Sequence, residues 1–142
     1  MYYSKLYFHV MWTTDNQQHS LSNYAHKMGN YLMSYSEEKG IDNKLISVMS
    51  NHIHCLVKMN STQSISDIVQ LLKGRSSTWM NENKFLPYKF KWEDEYFAFS
   101  IGYAQLPEFE RYFVNQQQYH SKLNVSQEIQ SLSIKYKLNY KS

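Results

Sequence analysis

Leu6, Phe8, Val10 and Trp12 alternate with Lys5, Tyr7, His9 and Met11, so residues 3–13 read as a strand with one strongly buried face. His9 lies on the other face, where a structural or exposed role is expected. Residues 14–20 are polar and loop-like. From residue 22 to residue 39 the period becomes helical: Ala25, Met28, Leu32 and Tyr35 stand three and four residues apart, and Gly40 falls where a helix C-cap belongs. Residues 41–50 read as a second strand, with Ile46 and Val48 on one face. A third strand covers residues 52–59. Ile53, Cys55 and Val57 face a core, while His52, His54 and Leu56 share the opposite face, because side chains repeat every second residue along a strand.

After a loop at residues 60–63, Ser64 followed by Asp67 predicts an N-cap with an acid in the first turn. Ile65, Ile68, Val69, Leu72, Ser76, Trp79 and Met80 then form a core-facing helical stripe to about Asn81. Residues 83–91 form a connector carrying Pro87, and residues 96–102 a fourth strand. Pro107, with Glu108 and Glu110, suits the first turn of a helix that runs to about His120. Residues 126–142 read as a short amphipathic helix with a basic, frayed end. The order strand, helix, strand, strand, helix, strand is the α+β, ferredoxin-like βαββαβ arrangement: an antiparallel sheet with two helices on one face, followed by a C-terminal helix carrying Tyr112. That fold hosts many functions and names none.

Length and composition narrow the class. A chain of 142 residues with 16% aromatic residues is expected to form one domain, residues 1–142, with a core over about 3–121 and a tail over 122–142. The net charge of +3 permits nucleic-acid binding without demanding it. A single cysteine, Cys55, excludes an intrachain disulfide, fits a reducing cytoplasm, and on an inward strand face is expected to be a core residue. No basic segment followed by a long apolar run opens the chain, and no run approaches the ~20 residues that span a bilayer. A soluble, cytoplasmic protein with no membrane partner is expected.

Chemistry concentrates at few places. Two imidazoles on one face of a strand, His52 and His54, can grip a divalent cation; they are equally what a solvent-facing pair on an edge strand would present. Tyr112 and Gln116 stand four residues apart on one helix face, where a half-buried aromatic and a surface amide would suffice to explain them. Taken with the histidines, one amide oxygen completes a neutral ligand set of nitrogen and oxygen that accepts Mg²⁺ or Mn²⁺, with zinc also open to it. Neutral ligands leave the ion's charge to act on a phosphodiester. A tyrosine near that ion would be placed for in-line attack, although a phenol with a pKa of ~10 needs a cation or a base to help it ionise. Lys73 and Arg75, beside Ser76 and Ser77, can hold backbone phosphates; the residues alone favour a solvated helix face.

Four stretches together resemble the small single-tyrosine HUH transposases of the insertion-sequence 200/605 type. They are Val48-Met49-Ser50-Asn51-His52-Ile53-His54, Leu72-Lys73-Gly74-Arg75-Ser76-Ser77, Trp92 with Glu93-Asp94-Glu95-Tyr96-Phe97-Ala98-Phe99-Ser100, and Tyr112-Phe113-Val114-Asn115-Gln116. The similarity spans nearly the whole chain, and the joint order is far more specific than any one stretch. It implies a metal-dependent enzyme of bacterial or archaeal cells that cuts and rejoins single-stranded DNA at insertion-sequence ends, recognising hairpins there. Tyr112 would hold the 5′ phosphate, His52, His54 and Gln116 would bind Mg²⁺ or Mn²⁺, and Lys73 and Arg75 would contact DNA. The resemblance further implies a homodimer in which the tyrosine helix can serve the partner's histidines; residues 102–106, with no helical start until Pro107, would permit that exchange. A catalytically silent module that binds single strands or hairpins is the alternative.

Two departures stand out. Asn51 occupies a position that is usually acidic in relatives, and residues 93–97 replace a stretch more often containing glycine. Asn51 is expected to weaken a hydrogen bond to a histidine or to alter metal affinity. Asn115 followed by Gln116, in place of Asn-Pro, favours the insertion-sequence branch over the branch associated with repetitive extragenic palindromes.

Overall fold

The period-two stretches pair as one sheet. The computed structural model describes residues 5–114 and 124–135 and divides the chain into two compact units, Met1–Tyr103 and Ala104–Ser142. In the first unit, β1 (Leu6–Thr13), α1 (Ala25–Glu38), β2 (Asp42–Val48), β3 (His52–Met59), α2 (Ile65–Glu82) and β4 (Phe97–Ile101) follow one another. The strands are all antiparallel, in the spatial order β2-β3-β1-β4. This is the expected α+β, ferredoxin-like βαββαβ topology.

Helices α1 and α2 cover one sheet face. Val10, Trp12, Ile53, Cys55 and Val57 from that face join Met28, Leu32, Ile68, Val69, Leu72 and Met80 in a single apolar cluster. Register follows from this burial: a slip of one residue would turn every one of those strand side chains to the other face.

The ends of the helices have local causes. Gly40, at φ +70°, takes the left-handed conformation that closes α1. The N–H of Ile41 donates to the Ser36 carbonyl at 2.8 Å and that of Gly40 to the Glu37 carbonyl at 3.3 Å, the paired bonds of a Schellman motif. Ser64 caps α2 as expected, its hydroxyl accepting from the Asp67 N–H at 3.1 Å. Helix α1 starts three residues later than the periodicity suggests. The Leu21 N–H is drawn to the Ser50 carbonyl at 2.8 Å, which holds the segment in a turn before Ala25.

Three readings of β1 and β3 change. The second face of β1 is not solvent-facing: His9 is 1% exposed and Met11 fully buried. Leu6, placed on the buried face by its spacing, is 40% exposed because β1 starts outside the core. The edge-strand reading of the histidine pair also fails, since β3 lies between β2 and β1 and both His52 and His54 are buried.

A 3₁₀ turn at Tyr103–Gln105 leads into α3 (Leu106–Val114) of the second unit, so helical backbone begins before Pro107. The expected continuation of this helix to His120 lies outside the described residues. Helix α4 (Val125–Lys135) follows. Asn124 and Gln127 form a reciprocal cap: the Gln127 N–H donates to Asn124 Oδ1 at 2.9 Å, and the Asn124 N–H donates to Gln127 Oε1 at 3.0 Å. Val125, Ile129 and Leu132 are buried at three- and four-residue spacings. Among the described residues, no helix is long and apolar enough to cross a membrane.

Candidate functional site

Strand β3 fixes the two imidazoles. Its inward residues anchor it in the core, so its other face is equally fixed, and His52 and His54 project from it two residues apart. Their rings lie 4.9 Å apart, nearly perpendicular at 78°.

Each ring is held at Nδ1. The His52 Nδ1–H donates to Asn51 Oδ1 at 2.8 Å. Asn51 is itself tied down: its side-chain amide donates to the Gln17 carbonyl at 3.3 Å, and its own carbonyl accepts from the Thr14 N–H at 2.9 Å. The carboxamide oxygen is therefore a fixed, neutral acceptor for the His52 ring. His54 Nδ1 lies 2.7 Å from His9 Nε2, in a buried contact between β3 and β1. The two rings stack at 5.0 Å and 24°. Phe99, opposite His9 across the β1–β4 pairing, packs on the far side of His9 at 5.3 Å.

This arrangement answers whether the residues fit a cation. With both Nδ1 atoms engaged, Nε2 is the atom each ring would present, and two neutral nitrogen donors suit a divalent ion of the Mn²⁺, Mg²⁺ or Zn²⁺ type. Hydrogen bonding of the distal ring nitrogen is also what metal-binding imidazoles ordinarily show. The donor set fits.

Tyr112 sits half-buried on α3, its ring 5.9 Å from that of Phe109. The phenol donates a short hydrogen bond to Oε1 of Glu128, a buried carboxylate on α4. Gln116 lies outside the described residues.

The basic pair of α2 splits. The Lys73 ammonium donates to the Glu93 carbonyl at 2.6 Å and reaches the Glu95 carbonyl at 3.5 Å, tying the segment before β4 to the helix. Burial lowers its pKa, against the opposing pull of Asp94, Glu93 and Glu95. Arg75 stays at the surface beside Tyr31, donating from Nε to the Tyr31 hydroxyl at 2.5 Å. Tyr31 stacks on Trp79 at 5.0 Å and 14°. Together with Ser34, Tyr35, Glu38 and Lys39, Tyr31 and Arg75 line a cavity of about 400 Å³.

Cys55 sits on the inward face, as expected. Burial pushes its thiol up to about 12, with the Asn43 side chain pulling the other way. Only the thiolate attacks, so iodoacetamide at about pH 8 is expected to leave native Cys55 unmodified and to label it in urea. Intact-mass measurement checks this; rapid native labelling would contradict the buried placement.

Sequence reasoning left two contacts unread. The His9–His54 pair was within reach: the ferredoxin-like order sets β1 beside β3, and the face parity of both strands puts His9 and His54 on the same side. The Tyr112–Glu128 contact had no comparable signal, because it joins two helices across 16 residues.

The antiparallel βαββαβ sheet thus carries a fixed His-x-His pair on an inner strand. The chain belongs to the IS200-like transposases: the family profile described as "Transposase IS200 like" matches residues 2–116. Among solved structures, it is similar to a candidate transposase from Deinococcus radiodurans R1, at 24% identity and a TM-score of 0.65, covering 81% of this chain and 93% of the other. It is also similar to a REP-associated tyrosine transposase solved with a REP hairpin, at 13% identity and a TM-score of 0.65, covering 87% of this chain and 73% of the other. At these identities the two structures speak for the fold. No curated protein matches the chain.

Proposed function

We propose that this transposase cuts and rejoins single-stranded DNA at insertion-sequence ends through a 5′-phosphotyrosine intermediate on Tyr112, with His52, His54 and Gln116 as ligands of Mg²⁺ or Mn²⁺. The observation that carries this is the buried imidazole pair of β3, each ring held at Nδ1 by a neighbour. Membership of the family supports it, and a REP hairpin bound to a structural neighbour supports hairpin DNA as the ligand. A divalent cation bound at the pair would supply polarisation of the scissile phosphate.

The chain's own groups do the rest. Glu128 orients the Tyr112 phenol and draws on its proton. The phenol oxygen bonds to phosphorus as the bond to the 3′ oxygen breaks; the phenol proton passes to Glu128 and the released 3′ oxygen takes one from water. The phosphotyrosine bond keeps the energy of the original linkage, so a 3′ hydroxyl can reverse the step without ATP. We propose that the protein works as a homodimer in which Tyr112 serves the histidine pair of either chain.

The test is incubation with labelled single-stranded insertion-sequence ends and Mn²⁺ or Mg²⁺, read on a denaturing gel. A cation-dependent protein–DNA adduct is expected. Binding of the DNA with no adduct under any cation would instead indicate a silent binding module.

Arg75, with Lys73 behind it, is proposed to contact the DNA backbone. Arg75→Ala is expected to weaken binding severalfold and to lower the slope of log affinity against log salt by about one. Fluorescence anisotropy across a salt series measures both; an unchanged slope would remove Arg75 from the interface.

A further inference from the structure

We propose that His9 is a positioning residue for the cation site, an inference that rests on the proposed role of His54 as a ligand. The contact between His9 Nε2 and His54 Nδ1, at 2.7 Å, needs one proton, and either ring can supply it. The choice is between tautomers and involves no change of charge. If His9 donates from Nε2, the proton of neutral His54 sits on its own Nε2, and that atom cannot ligate. If His54 donates from Nδ1, its Nε2 carries the lone pair a cation needs, and neutral His9 holds its proton on Nδ1. Only the second arrangement is competent, and His9 makes it possible by accepting.

Geometry fixes His9 for that task. It stands on β1, diagonal to His54 across the β1–β3 pairing, where Met11 opposes His54 and Leu56 opposes His9. Its ring is buried, stacked on His54 and backed by Phe99, so it has little freedom to turn away. His52 is supported differently. Its acceptor is Asn51 Oδ1, which accepts only and therefore permits a single tautomer of His52. One ligand is thus locked by an amide oxygen, and the other by an imidazole that must adopt a complementary tautomer.

Two substitutions separate positioning from packing. His9→Leu fills the space without an acceptor; His9→Gln places a carboxamide oxygen near the former Nε2. Mn²⁺ affinity, measured by calorimetry on the full chain, is expected to fall about 10- to 100-fold in His9→Leu and to stay within severalfold of the parent in His9→Gln. With Mg²⁺ bound to the parent, long-range ¹H–¹⁵N spectra are expected to show a protonated Nδ1 on His54. Parental affinity in folded His9→Leu, or a protonated Nε2 on Mg²⁺-bound His54, would overturn the proposal. An equal loss in both variants would do so too. Should the parent and His52→Ala both fail to bind Mn²⁺, the cation reading itself falls. Binding by the parent that His52→Ala loses and His9→Leu keeps refutes the role of His9 alone. If His9→Leu does not fold, the spectra and the His9→Gln affinity still decide.

Discussion

Tyr112→Phe is expected to abolish the covalent protein–DNA adduct completely while DNA affinity stays within about twofold of the parent. The substitution removes one oxygen, and that oxygen is the proposed attacking atom. The ring contact with Phe109 remains, so packing within α3 is retained. Removing the phenol does take one hydrogen bond from the buried Glu128, at a cost of about 1–3 kcal/mol. A chemical-denaturation midpoint would show that cost as a stability change separate from the catalytic one. Adduct formation by the phenylalanine variant at any appreciable rate would mean that another residue attacks.

The second large effect belongs to His54. His54→Ala is expected to lower Mn²⁺ affinity by more than about 100-fold, since losing a ligand costs more than losing the partner of a ligand, and to eliminate cleavage. His52→Ala is expected to do the same with different neighbours, which guards against reading local unfolding as lost chemistry. Calorimetry with Mn²⁺ and the gel assay check both variants. The pair also tests the shared-site proposal. Neither His54→Ala nor Tyr112→Phe should form an adduct alone, whereas a mixture should regain it if Tyr112 serves the partner's histidines. A mixture that stays silent after subunit exchange would place each tyrosine with its own chain's pair. Parental cleavage by both histidine variants would remove the cation from the account.

Much of the fold was legible because its causes are local. Alternation along residues 6–13 and 52–59 gave the two central strands, a positive-φ position gave Gly40 the end of α1, and Ser64 announced the start of α2. Parity also put His52 and His54 on one face. What alternation cannot give is the depth of the second face. The sequence leaves His9 structural or exposed and the histidine pair either a cation grip or a solvent-facing edge pair, because a period of two marks which side chains agree, and not what lies above them; the structure buries all three. Lys73 shows the same limit at longer range: its ammonium is committed to carbonyls 20 and 22 residues away, and nothing near Lys73 announces them. Asn51 shows the reverse. Its place at a position usually acidic in relatives suggests a weakened hydrogen bond to a histidine or an altered metal affinity; the hydrogen bond itself is present at 2.8 Å, because an amide oxygen also accepts.

The chain has 13 tyrosines, so the proposal that Tyr112 is the one joined to DNA is the sharpest claim to test. Protease digestion of the adduct followed by peptide mass spectrometry answers it directly. The nucleotide remnant is predicted on the peptide containing Tyr112, only when a divalent cation was present, and not in His54→Ala. A remnant on any other tyrosine, or one formed equally well in chelator, would contradict the proposal that this phenol and the two β3 imidazoles form one catalytic centre.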